Sequence, residues 1–213
     1  MNRIVLFLNI LLLNLPWVSA DEMSPQLLDL SERWAQIKYS MPENQRVEAL
    51  EKLSSDAEKL VLELPDEAEP LVWQAVVLST LAGEQGGVAG LSLVKRAKRL
   101  LEQAEGIDPE TLDGSIYTLL GSLYYQVPGW PVGFGNGDKA REYLLKALAV
   151  SPNGIDSNYY YGDFLLHNKE YPAAVEAFEK ALQAPPRQQR PMADAGRRKE
   201  AETALAKAKK QME

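Results

Sequence analysis

Apolar residues recur every three to four positions along most of the chain, the spacing of helices that bury one face and solvate the other. The pattern is sharpest near the C-terminal half. There Gly162 is followed by Ala174 at +12, Phe178 at +16, Ala181 at +19 and Pro186 at +24. A step of 34 residues upstream finds Ala140, Leu144, Ala147 and Pro152, the same order of small, large, small and proline. The first helix of that earlier unit carries Tyr117, Leu120, Gly121 and Tyr124, but Gly121 precedes Ala140 by 19 residues instead of 12, so seven extra residues separate its two helices. A weaker match follows further back at Ala97, Leu101, Ala104 and Pro109, with Trp73 in the place of Tyr117 and the Gly-rich run GEQGGVAGLS between the helices. Upstream of it, LLDLSERWAQIKYSM and VEALEKLSSDAEKLVLEL carry helical spacing and predict a further, degenerate pair.

Small residues at a helix crossing allow close approach, a large residue fills the adjoining groove, and proline ends the second helix. A single hairpin cannot cover its own apolar face, so such units stack. The expected fold is all-α: antiparallel hairpins stacked as a short solenoid, with a capping helix in the alanine-rich, charged C-terminal segment. Residues 21–64 are expected to form the N-terminal pair, 65–109 a degenerate repeat, 110–152 a repeat with an insert at 127–137, 153–186 a regular repeat and 187–213 the basic cap. No run has the alternation of an enzyme's sheet.

Composition narrows the function. The 213 residues carry a formal net charge of −7, which argues against a nucleic-acid partner. The charge is uneven: from Arg187 onward there are 8 basic and 4 acidic residues, while Asp21 to Pro186 holds 14 basic and 26 acidic. A basic cap docking on an acidic body, or meeting an acidic partner or an anionic membrane surface, fits that division. The first twenty residues, MNRIVLFLNILLLNLPWVSA, combine Arg3, an apolar run from Ile4 to Leu15 and a Val18-Ser19-Ala20 ending, the make-up of a cleavable signal peptide at 1–20. The chain has no cysteine, so no lipid-attachment cysteine, disulfide or thiolate metal site is available. Export to a bacterial periplasm, with no stable membrane span after cleavage, is the expectation.

The spacing of Gly162, Ala174, Phe178, Ala181 and Pro186 resembles the tetratricopeptide-repeat (TPR) superfamily over roughly residues 66–186. When the insert is included, VPGWPVGFGNGDKAREYLLKAL, SPNGIDSNYYYGDFLL and APPRQQRPMADAGRRKEA together look like the periplasmic T component associated with tripartite ATP-independent periplasmic (TRAP) transporters. That resemblance implies an all-helical protein that partners an extracytoplasmic solute-binding protein and assembles around a pore with ligand-sized clefts. Members of the group can be lipoproteins, and here no cysteine follows the signal.

Little in the chain suggests catalysis, a cofactor or a metal. The stretch YYQVPGWPVGFGNGDKA ends in Lys139 but lacks the G-x-x-x-x-G-K-[ST] pattern of a phosphate loop, since Asp138 precedes the lysine and no Ser or Thr follows it. Its glycines are expected to allow positive φ where the chain reverses, with Asn136 or Asp138 capping the next helix. Trp130 and Phe134, flanked by Pro128 and Pro131, either tuck onto the neighbouring repeat or form a recognition surface. Tyr159, Tyr160 and Tyr161 open the next helix, and three consecutive helical residues cannot all face one core. His167 is the only histidine and sits at a predicted helix end. Arg187, Arg190, Arg197 and Arg198 are expected to bind carbonyls and carboxylates of the last repeat, or an anion. The candidate binding surface comprises Tyr124, Trp130, Phe134, Tyr159, Tyr160 and Asp163. A non-catalytic protein-binding module follows, with a periplasmic solute-binding protein as the best candidate partner. The alternatives are a binder of a small apolar or amphipathic ligand between repeats and a structural scaffold of the cell envelope.

Overall fold

Small residues at the crossings do what their spacing predicts. In the computed structural model, which describes residues 23–213, Ala97, Leu101, Ala104, Ala140, Leu144, Ala147, Ala174, Phe178 and Ala181 are all fully buried. A Cβ built on Gly121 would stand 2.6 Å from Leu144 Cγ, and one on Gly162 would stand 2.8 Å from Phe178 Cε1, so each glycine is the contact that lets its hairpin close. The expected signal peptide at residues 1–20 lies outside the described residues.

The described residues form nine helices: α1 (Pro25–Ser40), α2 (Glu43–Glu63), α3 (Ala68–Gln85), α4 (Gly87–Ile107), α5 (Thr111–Gln126), α6 (Gly137–Val150), α7 (Ile155–His167), α8 (Tyr171–Gln183) and α9 (Pro191–Lys210). Their starts follow local chemistry. The Ser24 hydroxyl accepts from Leu27 N at 3.4 Å before α1, and Asn136 Oδ1 accepts from Lys139 N at 2.9 Å before α6, each satisfying an amide that the first turn leaves open. Prolines stand in the first turns of α1, α8 and α9, where a missing N–H costs nothing. Within the assigned span of α5, Leu112, Asp113 and Gly114 all have positive φ, so the regular helix begins after Gly114.

Pairing runs α1 with α2, α3 with α4, α5 with α6 and α7 with α8. The odd-numbered helices also meet each other. Helix α1 packs on α3, α3 on α5, α5 on α7 and α7 on α9, and α9 then returns to α1. The result is an inner ring of five helices, closed on itself. Helices α2, α4, α6 and α8 touch only the odd-numbered helices and stand outside. The C-terminal helix therefore caps the last repeat, as its composition suggests, and also joins the two ends of the array. Gly196 makes that junction: a Cβ there would lie 2.4 Å from the Tyr39 ring of α1.

Three apolar clusters fill the layers between helices. Trp34, Trp73 and Leu53 belong to the first, Leu78, Leu101 and Leu120 to the second, and Leu144, Phe164 and Phe178 to the third. Ala193 of α9 belongs to the first cluster and Ala208 to the third, so the cap joins both ends of the core.

The glycine contacts give opposite expectations for one substitution. Ala is favoured over Gly in a helix by about 1 kcal/mol, whereas overpacking a filled core costs about 1–3 kcal/mol. Gly83, in α3, has nothing within 4 Å of its built Cβ. Urea unfolding should show Gly83→Ala neutral to stabilising by up to about 1 kcal/mol. Gly162→Ala, pressed on the buried Phe178 ring, should be destabilising by about 1–2 kcal/mol.

Candidate functional site

The residues singled out from the sequence separate into an exposed loop and a buried junction. Residues 127–136 join α5 to α6 and are tied to the backbone of their own hairpin. Asn136 N donates to Tyr124 O at 2.8 Å, Gly135 N to Pro128 O at 3.0 Å and Gly133 N to Gly129 O at 3.1 Å. None of the loop glycines has the positive φ expected of them, and Gly133 and Gly135 serve this packing instead. A Cβ would fall 2.0 Å from Val127 O at Gly135 and 2.4 Å from Pro128 O at Gly133, while the positive-φ glycines are Gly86, Gly87 and Gly114. The Trp130–Pro131 peptide is cis.

The loop's aromatics point in opposite directions. Phe134 is half-buried and meets Tyr124 edge-on at 5.7 Å, and Tyr124, itself buried, stacks on Tyr143 at 5.7 Å. Lys98 Nζ lies 5.7 Å from the Tyr124 and Phe134 ring centres and Lys139 Nζ 5.4 Å from that of Tyr124, a cation–π arrangement that closes this cluster. Trp130 is 90% exposed and Val132 58% exposed. The loop thus presents a large apolar side chain to solvent from a backbone fixed at both ends.

Tyr159 and Tyr160 lie elsewhere, beneath α9. They meet edge-on at 5.2 Å, and the Arg197 guanidinium carbon sits 4.4 and 4.6 Å from their ring centres. Arg197 Nη2 donates to Tyr160 Oη at 3.1 Å and Nη1 to Glu200 Oε2 at 2.6 Å. Its Nε donates to Asp156 Oδ1 at 2.7 Å. Asp156 Oδ2 accepts from Arg187 Nη1 at 2.8 Å, and Arg187 in turn holds Asp194 through its backbone N, Nε and Nη2. Burial would raise the Asp156 carboxyl, but the charges of Arg187, Arg197 and Arg190 outweigh it and hold the group well below the usual carboxylate range. Arg198 donates to Leu182 O and Ala184 O, both at 2.6 Å, covering the open carbonyls at the end of α8. Tyr159 and Tyr160 therefore dock the cap and are not grouped with Trp130.

Asp163 faces a third place, a cleft of about 600 Å³ that His167 and Lys207 also line. Tyr125 Oη donates to Asp163 Oδ2 at 2.6 Å, and burial followed by the Asp163 charge pushes the Tyr125 hydroxyl well above its ordinary value. Asp163 was identifiable by its place beside the crossing glycine; Tyr125, hidden beside Tyr124, was not.

A cavity of about 1060 Å³ opens where the inner-ring helices begin. Glu69 of α3, Asp113 of α5, Asp156 of α7 and Arg187 and Arg190 before α9 all line it. One wall is acidic, through Glu69, Asp108, Glu110 and Asp113. Arg190 lines the same cavity, and its guanidinium carbon lies 5.0 Å from the ring centre of Trp73 on α3. No local pattern in the chain signals this cavity, because its residues come from four turns far apart in sequence. Among the described residues, no group of His, Cys, Asp and Glu side chains could hold a metal ion, and no helix is long and apolar enough to cross a membrane.

No protein-family model matches the chain, and no characterised protein matches its sequence. Solved structures do. TTC0263, a thermophilic TPR protein of Thermus thermophilus, superposes with a TM-score of 0.57 at 19% identity over 84% of this chain and 89% of that one. The fold is a TPR-type helical solenoid. MamA superposes more loosely, with a TM-score of 0.45 at 19% identity over 82% of this chain and 96% of that one.

The Asp156 cluster sets a stability expectation. A free aspartate titrates near pH 4. Because the folded value is depressed, the stabilisation is fully present above that pH and is lost as the pH falls toward the folded value. Urea unfolding should weaken progressively below about pH 4. Asp156→Asn should be destabilising by about 3 kcal/mol at neutral pH, since it removes the carboxylate that the buried Arg197 shares with Arg187, and should flatten that acid dependence.

Proposed function

We propose that the chain is a non-catalytic scaffold that binds a second protein through the 127–136 loop. The observation that carries this reading is Trp130, 90% exposed on a loop whose backbone is hydrogen-bonded at both ends. An exposed indole on a fixed backbone costs little entropy when a partner buries it, which is why tryptophan is common among residues that dominate binding energy. Val132 extends the same apolar surface. Tyr124 and Phe134 support the loop from beneath and are not themselves the contact surface.

The partner proposed is an exported solute-binding protein of the TRAP type, and the place is the periplasm. The signal-like first twenty residues support export, and the resemblance of the insert and the C-terminal runs to the transporter-associated T component supports the partner. A ligand held between aromatic walls is less favoured, because Tyr124, Phe134, Tyr159 and Tyr160 pack against one another and against Lys or Arg.

Affinity capture from periplasm with the purified exported chain tests this. Trp130→Ala should weaken capture of the partner by about 2 kcal/mol or more, roughly 30-fold, with the urea midpoint unchanged because the side chain supports no core contact. Retention of the same proteins at full strength by the Trp130→Ala chain would place the interface elsewhere.

A further inference from the structure

The cavity at the start of the inner ring is lined by side chains of both signs, and one of them, Arg190, has a buried donor that the protein leaves unpaired. Asp156 already accepts from Arg187 at 2.8 Å and from Arg197 at 2.7 Å, so its nearest approach to Arg190, 3.9 Å to Nη1, is too long for a hydrogen bond. Arg190 makes no side-chain hydrogen bond among the described residues. Its Nε is fully buried with no partner, while the side chain keeps 18% exposure into the cavity it lines. A buried guanidinium donor left unmet beside a second arginine is costly. Burial, then the neighbouring Arg187 charge, lowers the Arg190 guanidinium from its ordinary value, opposite in direction to Arg187 and Arg197.

Carboxylates line the same cavity. None of Glu69, Asp108, Glu110 and Asp113 pairs with a lysine or arginine among the described residues. Burial and then the nearby Glu67 and Asp108 charges raise the Glu69 carboxyl. A simple anion would relieve Arg190 and be repelled by the acidic wall, and a simple cation would meet the reverse. A polyanion is disfavoured for the same reason.

We propose that this cavity binds a small zwitterion, its carboxylate held by the terminal nitrogens of Arg190 and its ammonium group by Glu69 and Asp108. The space of about 1060 Å³ is at the upper end of ordinary small-molecule sites. This site is independent of the protein-binding loop, since none of its residues belongs to 127–136.

Isothermal titration of the purified exported chain with ε-aminocaproate, caproate and hexylamine separates the two charges on one carbon skeleton, and shorter and longer ω-amino acids vary their separation. At least one ω-amino acid should bind about tenfold or more tightly than its matched acid and amine. Arg190→Gln should abolish binding of the zwitterion and of the acid. Glu69→Gln should weaken the zwitterion and narrow its advantage over the matched acid, whose own affinity should rise as the repulsion falls; this variant carries the test should Arg190→Gln fail to fold. Absence of binding across the whole series, equal affinity for zwitterion and matched acid, or an unaltered zwitterion affinity in Glu69→Gln would each overturn the proposal.

Discussion

One carboxylate holds the two ends of this protein in relation to each other. Asp156, in the first turn of α7, accepts from Arg187 in the connection to α9 and from Arg197 on α9 itself. Arg197 then reaches Glu200, and Glu200 pairs with Lys38 of α1 at 3.1 Å. Removing the Asp156 carboxylate would leave the buried Arg197 guanidinium with Glu200 as its one remaining carboxylate, and losing one partner of a buried charge costs more than the net worth of most ion pairs. Apolar packing drives α9 inward, while the charges fix which way it lies.

That placement decides which surfaces remain for other molecules. In an open solenoid the inner helices usually provide a continuous groove. Here α9 occupies the fifth place in the inner ring, and the surface offers a cavity at the helix starts, a smaller cleft by Tyr125 and Asp163, and the loop that carries Trp130. A single helix thus closes the inside of the array and leaves open space at its end and its edge.

Much of the fold was legible in the sequence because the crossing positions obey short-range steric rules. Ala140, Leu144, Ala174 and Phe178 could only be small or large where they are, and their spacing locates the helices. The insert was legible as an insert, but the role of its glycines was not, since close backbone approach and positive φ leave the same mark on a sequence. Trp130 and Phe134 read alike and face opposite ways, a difference set by Tyr124 and Tyr143 beneath them. Asp156 was passed over because an acid in a first turn ordinarily needs only the helix dipole to account for it. Arg190, Glu69 and Trp73 could not be joined in one site by any local pattern.

Closure of the ring also has a consequence for how the chain reaches its final form. Tyr39 and Glu200, 161 residues apart, share a hydrogen bond across the junction. In an open array each hairpin needs only its neighbours, so order can spread from wherever it starts. Contacts of such long separation raise the contact order and slow the search for them. As the chain emerges from its N-terminus, α1 has no seat for Tyr39 until the last helix is present, and the ends become coupled only when synthesis is nearly complete.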